Sequence, residues 1–359
     1  MTFQSLEITG FRNFSQLHWE PGPSLNVLEG ANGQGKTNLL EALYFLAHGR
    51  SFRTRERESL IGDGREEAIL AAVVDRGELE HRITCRLTPE RRELTWNSKP
   101  QHHWTKVYQI LQVLLFTPES TGLFRTAPAS RRRYFDQAIA VMFPEYLTWL
   151  NRYQRVLRQR NQMLLDRAAP EWREPYDRQW AELTAGLMAW RQEYLAELMP
   201  RWVKRLAGLT QSVTGLLARW EGPVPQSPPP TAEQLLEALA GVAAEERRTG
   251  HTRLGPHRED LVLYWEERPV REVASQGQQR LIAIALKLAE ADLYLARYGH
   301  APVFLLDDVG SELDPQHLAA LLKSLRTMDS QTVLTTAHPG EYSALEAKTF
   351  TLKGGNWVR

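Results

Sequence analysis

Cysteine is almost missing from this chain. Cys85 is the single one among 359 residues, so no disulfide can form within the chain. Chains without disulfides are typical of reducing compartments. No stretch approaches the about 18 uninterrupted apolar residues of a membrane-spanning helix, and segment 1–7 has neither the basic nor the apolar region of a signal peptide. These absences predict a soluble, cytoplasmic protein that makes no membrane contact.

A strong charge of either sign is also lacking. The formal net charge is +1 and the isoelectric point is near 7.9, so any contact with nucleic acid must come from local patches. Arginine outnumbers lysine 36 to 8. This compositional bias lowers the weight of any single cluster of arginines. The length predicts about two domains.

One glycine-rich segment has the spacing of a phosphate-binding loop. Two glycines are separated by four residues, and the second is followed by lysine and threonine. Its residues are Gly30, Ala31, Asn32, Gly33, Gln34, Gly35, Lys36 and Thr37. An apolar, strand-like run precedes it and a helical pattern follows, which disfavours an ordinary glycine-rich turn. Backbone N–H groups of the loop and the start of the helix can hold an anion. We expect Lys36 to reach the β- and γ-phosphates of ATP and the Thr37 hydroxyl to ligate Mg²⁺.

A second apolar run, 303–306, ends in the two carboxylates Asp307 and Asp308. Ligands of parallel sheets collect at the carboxyl ends of the strands. Asp307 is therefore predicted to bind Mg²⁺ opposite Thr37, and Asp308 to polarise the attacking water as general base. A strand that simply ends in a solvated acidic turn has the same pattern, but the loop upstream favours the functional interpretation. His338 follows the next predicted strand and could donate to a γ-phosphate.

The segment Ser275–Arg280 precedes a strongly helical pattern. Ser275, Gly277 and the free N–H groups of a helix start form an anion site, although an ordinary capped helix start has the same features. The loop at 30–37 already supplies the phosphate site of its own subunit. We therefore expect Ser275 and Gly277 to face the γ-phosphate held by a second copy, which predicts an ATP-dependent homodimer.

The order of patterns predicts an α/β protein with a mixed sheet and an inserted helical subdomain. Segment 1–125 carries the phosphate loop, 126–250 is the helical insertion, and 251–359 carries Ser275, the acidic strand and His338. Long helices are expected from about 130 to 220. They should form an antiparallel hairpin that is short for a coiled-coil arm, with Pro170 and Pro175 at its turn. The proline-rich segment 223–230 is expected to be a surface loop.

Taken together, these motifs resemble the ABC-type ATPases, and within them the chromosome-maintenance branch whose head is split by an insertion. The chain is most similar there to the RecF family of bacterial recombination mediators. The segments that carry the resemblance are 11–13, 30–37, 49–54, 116–119, 131–136, 255–260, 275–280 and 306–314, together with His338. The short insertion also fits this family, because the long-armed members of the wider chromosome-maintenance branch insert hundreds of residues.

The resemblance implies a weak, DNA-stimulated ATPase that dimerises on ATP and acts as a switch. It also implies binding of gapped, single-stranded or duplex DNA, loading of RecA with RecO and RecR, and support of SOS induction. Arg12 resembles an arginine that reaches nucleotide phosphates in related heads, and Gln112 or the region near Glu119 corresponds to the Q-loop. The candidate DNA contacts are Arg50, Arg53, Arg55, Arg57 and Arg131–Arg133.

Three other classes share parts of this pattern. A transporter ATPase subunit has the same loop, acidic pair and histidine, but segment 275–280 lacks the usual leucine–serine–glycine–glycine run. A long-armed structural ATPase is disfavoured by the short hairpin. A P-loop kinase would leave Ser275–Arg280 without a role.

Overall fold

The computed structural model describes residues 1–77, 79–101, 104, 107, 111–210, 212–224 and 228–358, with the side chains of 118–121 and 312 left aside. The described chain forms two compact units. Unit 1 comprises 1–120 and 286–359, and unit 2 comprises 121–285. The described residues include no helix that is both long and apolar enough to cross a membrane.

The strands are β1 Thr2–Phe11, β2 Phe14–Trp19, β3 Leu25–Glu29, β4 Ala68–Arg76, β5 Leu79–Leu87, β6 Arg92–Trp96, β7 Lys99–Gln101, β8 Val113–Phe116, β9 Leu216–Glu221, β10 Asp260–Trp265, β11 Arg268–Pro269, β12 Val303–Leu306, β13 Thr332–Thr336, β14 Lys348–Lys353 and β15 Asn356–Val358. The helices are α1 Lys36–His48, α2 Pro128–Met142, α3 Pro144–Leu165, α4 Pro170–Leu209, α5 Ala232–Thr249, α6 Val270–Val273, α7 Gln276–Tyr298, α8 Val309–Glu312 and α9 Pro315–Thr327. Short 3-10 helices cover Glu58–Leu60, Pro118–Arg125 and Pro256–Arg258.

Unit 1 contains two sheets with α1 packed against strands of both. The antiparallel sheet has the order β2-β1-β4-β5-β6-β7, and the second sheet has the order β15-β14-β3-β13-β12-β8. Strands β14, β3, β13, β12 and β8 are parallel. The four residues of β12 and the five of β13 are all buried, as expected for parallel strands covered on both faces. The predicted α/β class with a mixed sheet is confirmed.

Unit 2 contains the helices α2 to α6 and the small sheet β11-β10-β9. Helices α3 and α4 pack against each other across the turn 166–169, so the predicted hairpin is present. Two expectations were wrong in detail. The helix ends at Leu209, and Leu216–Glu221 is a strand whose alternate residues are buried against β10. Pro170 is the first residue of α4, whereas Pro175 lies inside that helix, where packing of its buried stripe on α3 offsets the lost hydrogen bond.

The boundary between the units falls later in the chain than the sequence division. Residues 251–285 belong to unit 2, although the sequence pattern assigned them to the segment 251–359. The cause is the pairing of β10 with β9 over six residues, from Asp260 opposite Glu221 to Trp265 opposite Leu216. Ser275 and Gly277 therefore lie in unit 2. The described part of the proline-rich segment has no helix or strand.

His48 gives unit 1 a pH-dependent stability. Its imidazole Nε2 lies 2.8 Å from the carbonyl oxygen of Val113, and burial lowers its pKa from 6.5 to about 4. Since the folded pKa lies below the unfolded value, the neutral form stabilises the fold above pH 6.5, and this contribution is lost as the pH falls toward 4. At pH 5 the loss is about 2 kcal/mol.

We expect a His48→Gln variant, which keeps a donor but does not titrate, to lose this part of the pH dependence. The measurement is the free energy of unfolding in urea at pH 7 and at pH 5, compared between variant and parent. The exposed His18 is the control, because His18→Gln removes an imidazole that is open to solvent. An identical pH dependence in His48→Gln and in the parent would contradict the lowered pKa.

Candidate nucleotide-binding site

The loop Gly30–Thr37 joins β3 to α1 at the carboxyl edge of the parallel sheet. Gly30, Gly33 and Gly35 all have positive φ, at 154°, 80° and 110°. A Cβ atom would lie 2.4 Å from the carbonyl oxygen of Leu352 at Gly30 and 2.6 Å from Nδ2 of Asn13 at Gly35. Both positions therefore favour glycine, and a glycine-rich loop of this kind can aim successive N–H groups at one anion.

Lys36 is the first residue of α1 and is only 8% exposed. Its Nζ donates to the carbonyl oxygens of Gly30 at 2.5 Å and Ala31 at 2.9 Å. Burial lowers the pKa of Lys36, and the nearby carboxylates of Asp308 and Asp307 act in the opposite direction. The ammonium group therefore lies within the curl of the loop and faces two carboxylates.

Asp307 connects three elements of the site. Its Oδ1 accepts hydrogen bonds from the hydroxyl of Thr37 at 3.0 Å and from that of Thr335 at 2.8 Å, and its backbone N–H donates to the carbonyl of Phe116 at 2.9 Å. Thr37 comes from α1, Asp307 follows β12 and Thr335 lies in β13. A hydroxyl beside a carboxylate fits Mg²⁺, which takes one or two protein ligands together with substrate phosphates and water.

Asp308 has a strained backbone, with φ at +48°. Its N–H donates to the Thr335 hydroxyl at 2.9 Å, and its Oδ2 accepts from the Ser311 hydroxyl at 2.9 Å. The backbone is thus held by Thr335 and the carboxylate by Ser311, while the residue stays partly exposed. This geometry suits a group that must contact a water molecule.

His338 follows β13 and is exposed. Its backbone N–H donates to the Thr336 hydroxyl at 3.0 Å. The register pairs Thr336 with Glu29 and Leu334 with Leu306, so β3, β12 and β13 end at one edge. The structure therefore brings the loop, the acidic pair and His338 to the same edge of one sheet.

Arg12 is tied to α1 by side-chain contacts. Its Nε and one terminal nitrogen each donate to Glu41 at 2.8 Å, and the other terminal nitrogen donates to the carbonyl of Ser59 at 2.6 Å. Glu41 is fully buried and also accepts from the Ser51 hydroxyl. The guanidinium thereby links the turn between β1 and β2 to the helix that follows the loop.

Side chains outside the loop and within it hold the loop in place. The Asn13 side chain donates to the carbonyl of Gln34 at 3.1 Å and accepts from Asn38 at 2.8 Å. The Gln34 side chain in turn accepts from the N–H of Gly354 at 2.6 Å. Ala31, Asn32 and Gly33 form the exposed apex between these anchors. No sequence signal connects Gly354 to the loop, since the two lie far apart in the chain.

Ser275 and Gly277 lie at the start of α7 in unit 2, where both are exposed. The Ser275 hydroxyl accepts from the N–H of Gln278 at 3.2 Å, and the Ser275 N–H donates to the Gln278 side chain at 2.8 Å. This reciprocal pair is a capping box. A Cβ on Gly277 would meet nothing closer than the Ser275 hydroxyl at 4.0 Å, so the helix start is open to a ligand.

Gln112 lies at the wrong end of its strand for a Q-loop residue. The N–H of Val303 donates to the carbonyl of Gln112, whereas the N–H of Asp307 donates to that of Phe116. Gln112 is therefore at the amino end of β8 and Phe116 is at the end that carries the site. The other candidate, Glu119, has a side chain outside the described residues.

The arginines proposed for DNA contact differ in their accessibility. Arg131 is 6% exposed and pairs through two nitrogens with Asp260, so it is a structural residue. Arg132 donates to the carbonyl of Glu259 at 2.5 Å, and burial lowers its pKa. Arg133 is exposed, as are Arg50, Arg53, Arg55 and Arg57. The prediction is therefore wrong for Arg131 and stays a prediction for the exposed ones.

Comparison with known proteins places this architecture in a family. The family described as "RecF/RecN/SMC N terminal domain" matches residues 2–352. The protein named "DNA replication and repair protein RecF" of Geobacter sulfurreducens is 36% identical over 341 residues, covering 94% of this chain and 93% of the relative. The protein of the same name from Symbiobacterium thermophilum is 37% identical over 334 residues, covering 91% and 89%.

Solved structures agree with this comparison. The structure titled "recombination mediator protein RecF-ATPrS in RecFOR pathway" superposes with a TM-score of 0.89 at 26% identity, covering 99% of this chain and 97% of the other. A SmcHead bound to the C-winged helix domain of ScpA has a TM-score of 0.58 at 16% identity, covering 99% and 96%. The second match shows the shared fold alone.

Proposed function

This chain belongs to the RecF family within the RecF/RecN/SMC ATPases, and from that premise we propose that it is an ATP-dependent DNA-binding protein of replication and recombinational repair. The observation that carries the proposal is a pair of hydrogen bonds to Asp307. One of its carboxylate oxygens accepts from the hydroxyls of Thr37 in the phosphate loop and of Thr335 in the neighbouring strand. Membership of this family sets aside the transporter and kinase interpretations.

ATP is the nucleotide, held by the loop 30–37. The N–H groups of the loop and the Lys36 ammonium bind its β- and γ-phosphates. Thr37 and Asp307 hold Mg²⁺, which neutralises charge on those phosphates when bound. Asp308 orients the attacking water and accepts its proton, and His338 donates to the γ-phosphate.

The protein acts as a switch through ATP-dependent pairing of two copies. The exposed, capped start of α7 supports this proposal, because Ser275 and Gly277 offer an anion site that faces solvent in one copy. Each copy completes the other's γ-phosphate site, so ATP stabilises the dimer and hydrolysis releases it. Turnover is weak and is stimulated by DNA.

The DNA substrate is gapped, single-stranded or duplex DNA. RecO and RecR are the partners and RecA is the protein loaded, as the resemblance implies, and SOS induction follows from that loading. The structure titled with the RecFOR pathway supports this assignment through its likeness to the whole chain. The proposed location of the protein is the cytoplasm.

The test is sedimentation with ATP, with ADP and without nucleotide, each repeated with gapped DNA. We expect ATP alone among the nucleotide conditions to produce the dimer. Ser275→Arg should weaken dimerisation about tenfold or more, because a long cation replaces a small hydroxyl at two symmetric contacts. ATP binding to the monomer should not change.

Ser130→Arg is the matched control, since Ser130 is also an exposed serine at the start of a helix of unit 2. Thermal unfolding of both variants accounts for the lost cap of Ser275, which is worth about 1 kcal/mol. A monomer at every concentration with ATP, or a Ser275→Arg protein that dimerises like Ser130→Arg, would overturn the proposal.

A further inference from the structure

Four arginines line a single pocket at the end of the helical hairpin. The pocket has a volume of about 300 Å³ and is lined by Leu164, Arg167, Ala168, Arg173, Arg247 and Arg248. We name it the hairpin-tip pocket. It lies within unit 2, between the turn that joins α3 to α4 and the end of α5.

The two sides of the pocket are held in a fixed arrangement. A Cβ on Gly250, directly after α5, would lie 2.4 Å from Cδ2 of Leu165, so the end of α3 packs closely on this glycine. Arg160 of α3 donates to Glu246 of α5 at 2.6 Å, and both side chains are buried. The helix ends that carry the arginines of the pocket are therefore packed together without a ligand.

The four guanidinium groups have no acidic partner among the residues that the structure describes. Four nearby carboxylates bind elsewhere: Asp166 accepts from Gln162, Glu174 pairs with Arg178, Glu245 with Arg253 and Glu246 with Arg160. Glu171, in the first turn of α4, is exposed and does not line the pocket. The Nε of Arg173 is buried and lacks a hydrogen-bond partner in the described structure. In the same unit, Arg131, Arg160 and Arg191 all form ion pairs.

The electrostatic effect of helix ends favours only some of the four arginines. Arg247 and Arg248 lie in the last turn of α5, where the helix dipole favours cations. Arg173 lies in the first turn of α4, where the same effect disfavours a cation. Arg167 has φ at +51°, a conformation that side chains rarely adopt. The pocket thus concentrates positive charge at a local cost, which an anion would offset.

An exposed aromatic residue adjoins one of these cations in the chain. Trp172 is 73% exposed and precedes Arg173 in the first turn of α4, and Leu165 is 55% exposed. Arginines beside an exposed aromatic ring are the combination that binds single-stranded nucleic acid, with phosphates on the cations and a base stacked on the ring. An acidic peptide would need the cations but not the ring.

We propose that the hairpin-tip pocket binds the backbone phosphates of a single-stranded nucleic acid and that Trp172 stacks on one of its bases. This inference rests on the proposed function, because it assigns a second DNA contact to a protein that binds DNA. It places the contact on the helical unit, whereas the arginines 50–57 belong to unit 1.

The first test is the double variant Arg173→Gln/Arg247→Gln, titrated with a labelled oligo-dT 20-mer in the presence of ATP. We expect its affinity to fall about tenfold or more. The slope of log affinity against log salt should fall by about 1.4, since each phosphate contact on a single strand contributes about 0.7. The control is Arg152→Gln/Arg155→Gln, which makes the same charge change on the exposed surface of α3.

The second test addresses Trp172. Trp172→Ala should weaken oligo-dT binding about tenfold and leave duplex binding unchanged, because only unpaired bases can stack on the ring. Photocrosslinking of a bromodeoxyuridine oligonucleotide to the parent protein should modify the tryptic peptide 168–173. An adduct confined to other peptides would contradict the proposal.

The outcomes separate this inference from the proposed function. If the parent binds gapped DNA with ATP and both double variants bind oligo-dT equally well, the pocket is not a DNA site and the proposed function stands. If the parent binds no DNA with ATP, the proposed function itself fails. If a poly-glutamate 20-mer binds with the same dependence on Arg173 and Arg247 while oligo-dT does not, the pocket serves an acidic protein and the inference is overturned.

Discussion

A Lys36→Met variant is expected to lose ATP binding. The substitution keeps an unbranched side chain of similar length and removes only the ammonium group. Hydrogen bonds to charged groups are worth about 1.5–3 kcal/mol each, and Lys36 is placed to make them with two phosphates. The loss of about 3 kcal/mol or more corresponds to binding that is at least ~100-fold weaker. Calorimetric titration with a slowly hydrolysed ATP analogue measures the effect.

The control for this prediction is Lys353→Met, the same change at an exposed position of β14. Lys36 also donates to the carbonyls of Gly30 and Ala31, so the variant could loosen the loop rather than lose a phosphate contact. Thermal unfolding without nucleotide separates the two effects, because a loosened loop lowers the melting temperature of the free protein. Normal ATP affinity in Lys36→Met would place the phosphates elsewhere.

The parts of this site that could be predicted from sequence are those in which chemistry and local structure coincide. Glycines at 30, 33 and 35 are needed for the backbone, and the strand before them and the helix after them are visible as apolar patterns. The buried run Val303–Leu306 indicated a parallel strand, and its acidic end followed. Close contacts between distant segments, such as Thr335 with Asp307, could not be predicted, because nothing in either segment refers to the other.

Consecutive arginines show why a local charge pattern was misleading. Arg131, Arg132 and Arg133 look like a basic patch in the sequence, but successive residues of a helix point about 100° apart, so the three side chains spread over different directions. Arg131 faces Asp260 in the interior, whereas Arg133 faces solvent. A charged stretch on a helix therefore does not by itself define an exposed basic patch.

The strand at 216–221 was missed for a related reason. Its period-two pattern, with Leu216, Ala218 and Trp220 buried, covers only six residues and follows a helix of 40 residues. In a sequence segment longer than these six residues the helical pattern dominates. Gly215, with φ at +66°, lies directly before the strand, after the helix has ended. Pairing with Asp260–Trp265 then decides the structure, and that partner lies about forty residues further along the chain.

Asp308→Asn is expected to retain ATP and to stop hydrolysis. Asparagine tolerates the left-handed backbone of Asp308, where φ is +48°, so the turn after β12 should keep its form. The amide cannot accept a proton from water, and loss of a general base slows a reaction by about 10²–10⁴-fold. In the proposed switch, hydrolysis releases the dimer, so we expect the ATP-bound dimer on DNA to persist longer. Phosphate release in a single turnover and the lifetime of the dimer on gapped DNA measure the two effects.

The same geometry predicts that even the parent enzyme is slow. An aspartate is one methylene shorter than the glutamate found in many ABC-type ATPases, and a general base must come within about 2.6–3.2 Å of its water. The Ser311 hydroxyl fixes Oδ2 of Asp308 at 2.9 Å and limits how far the carboxylate can turn to compensate. Asp314→Asn is the control, because Asp314 caps α9 through the N–H groups of Gln316 and His317, a role that asparagine also fills. Hydrolysis at the parent rate in Asp308→Asn would exclude Asp308 as the base and leave His338, at the same sheet edge, or Glu312, whose side chain lies outside the described residues, as the group that activates water.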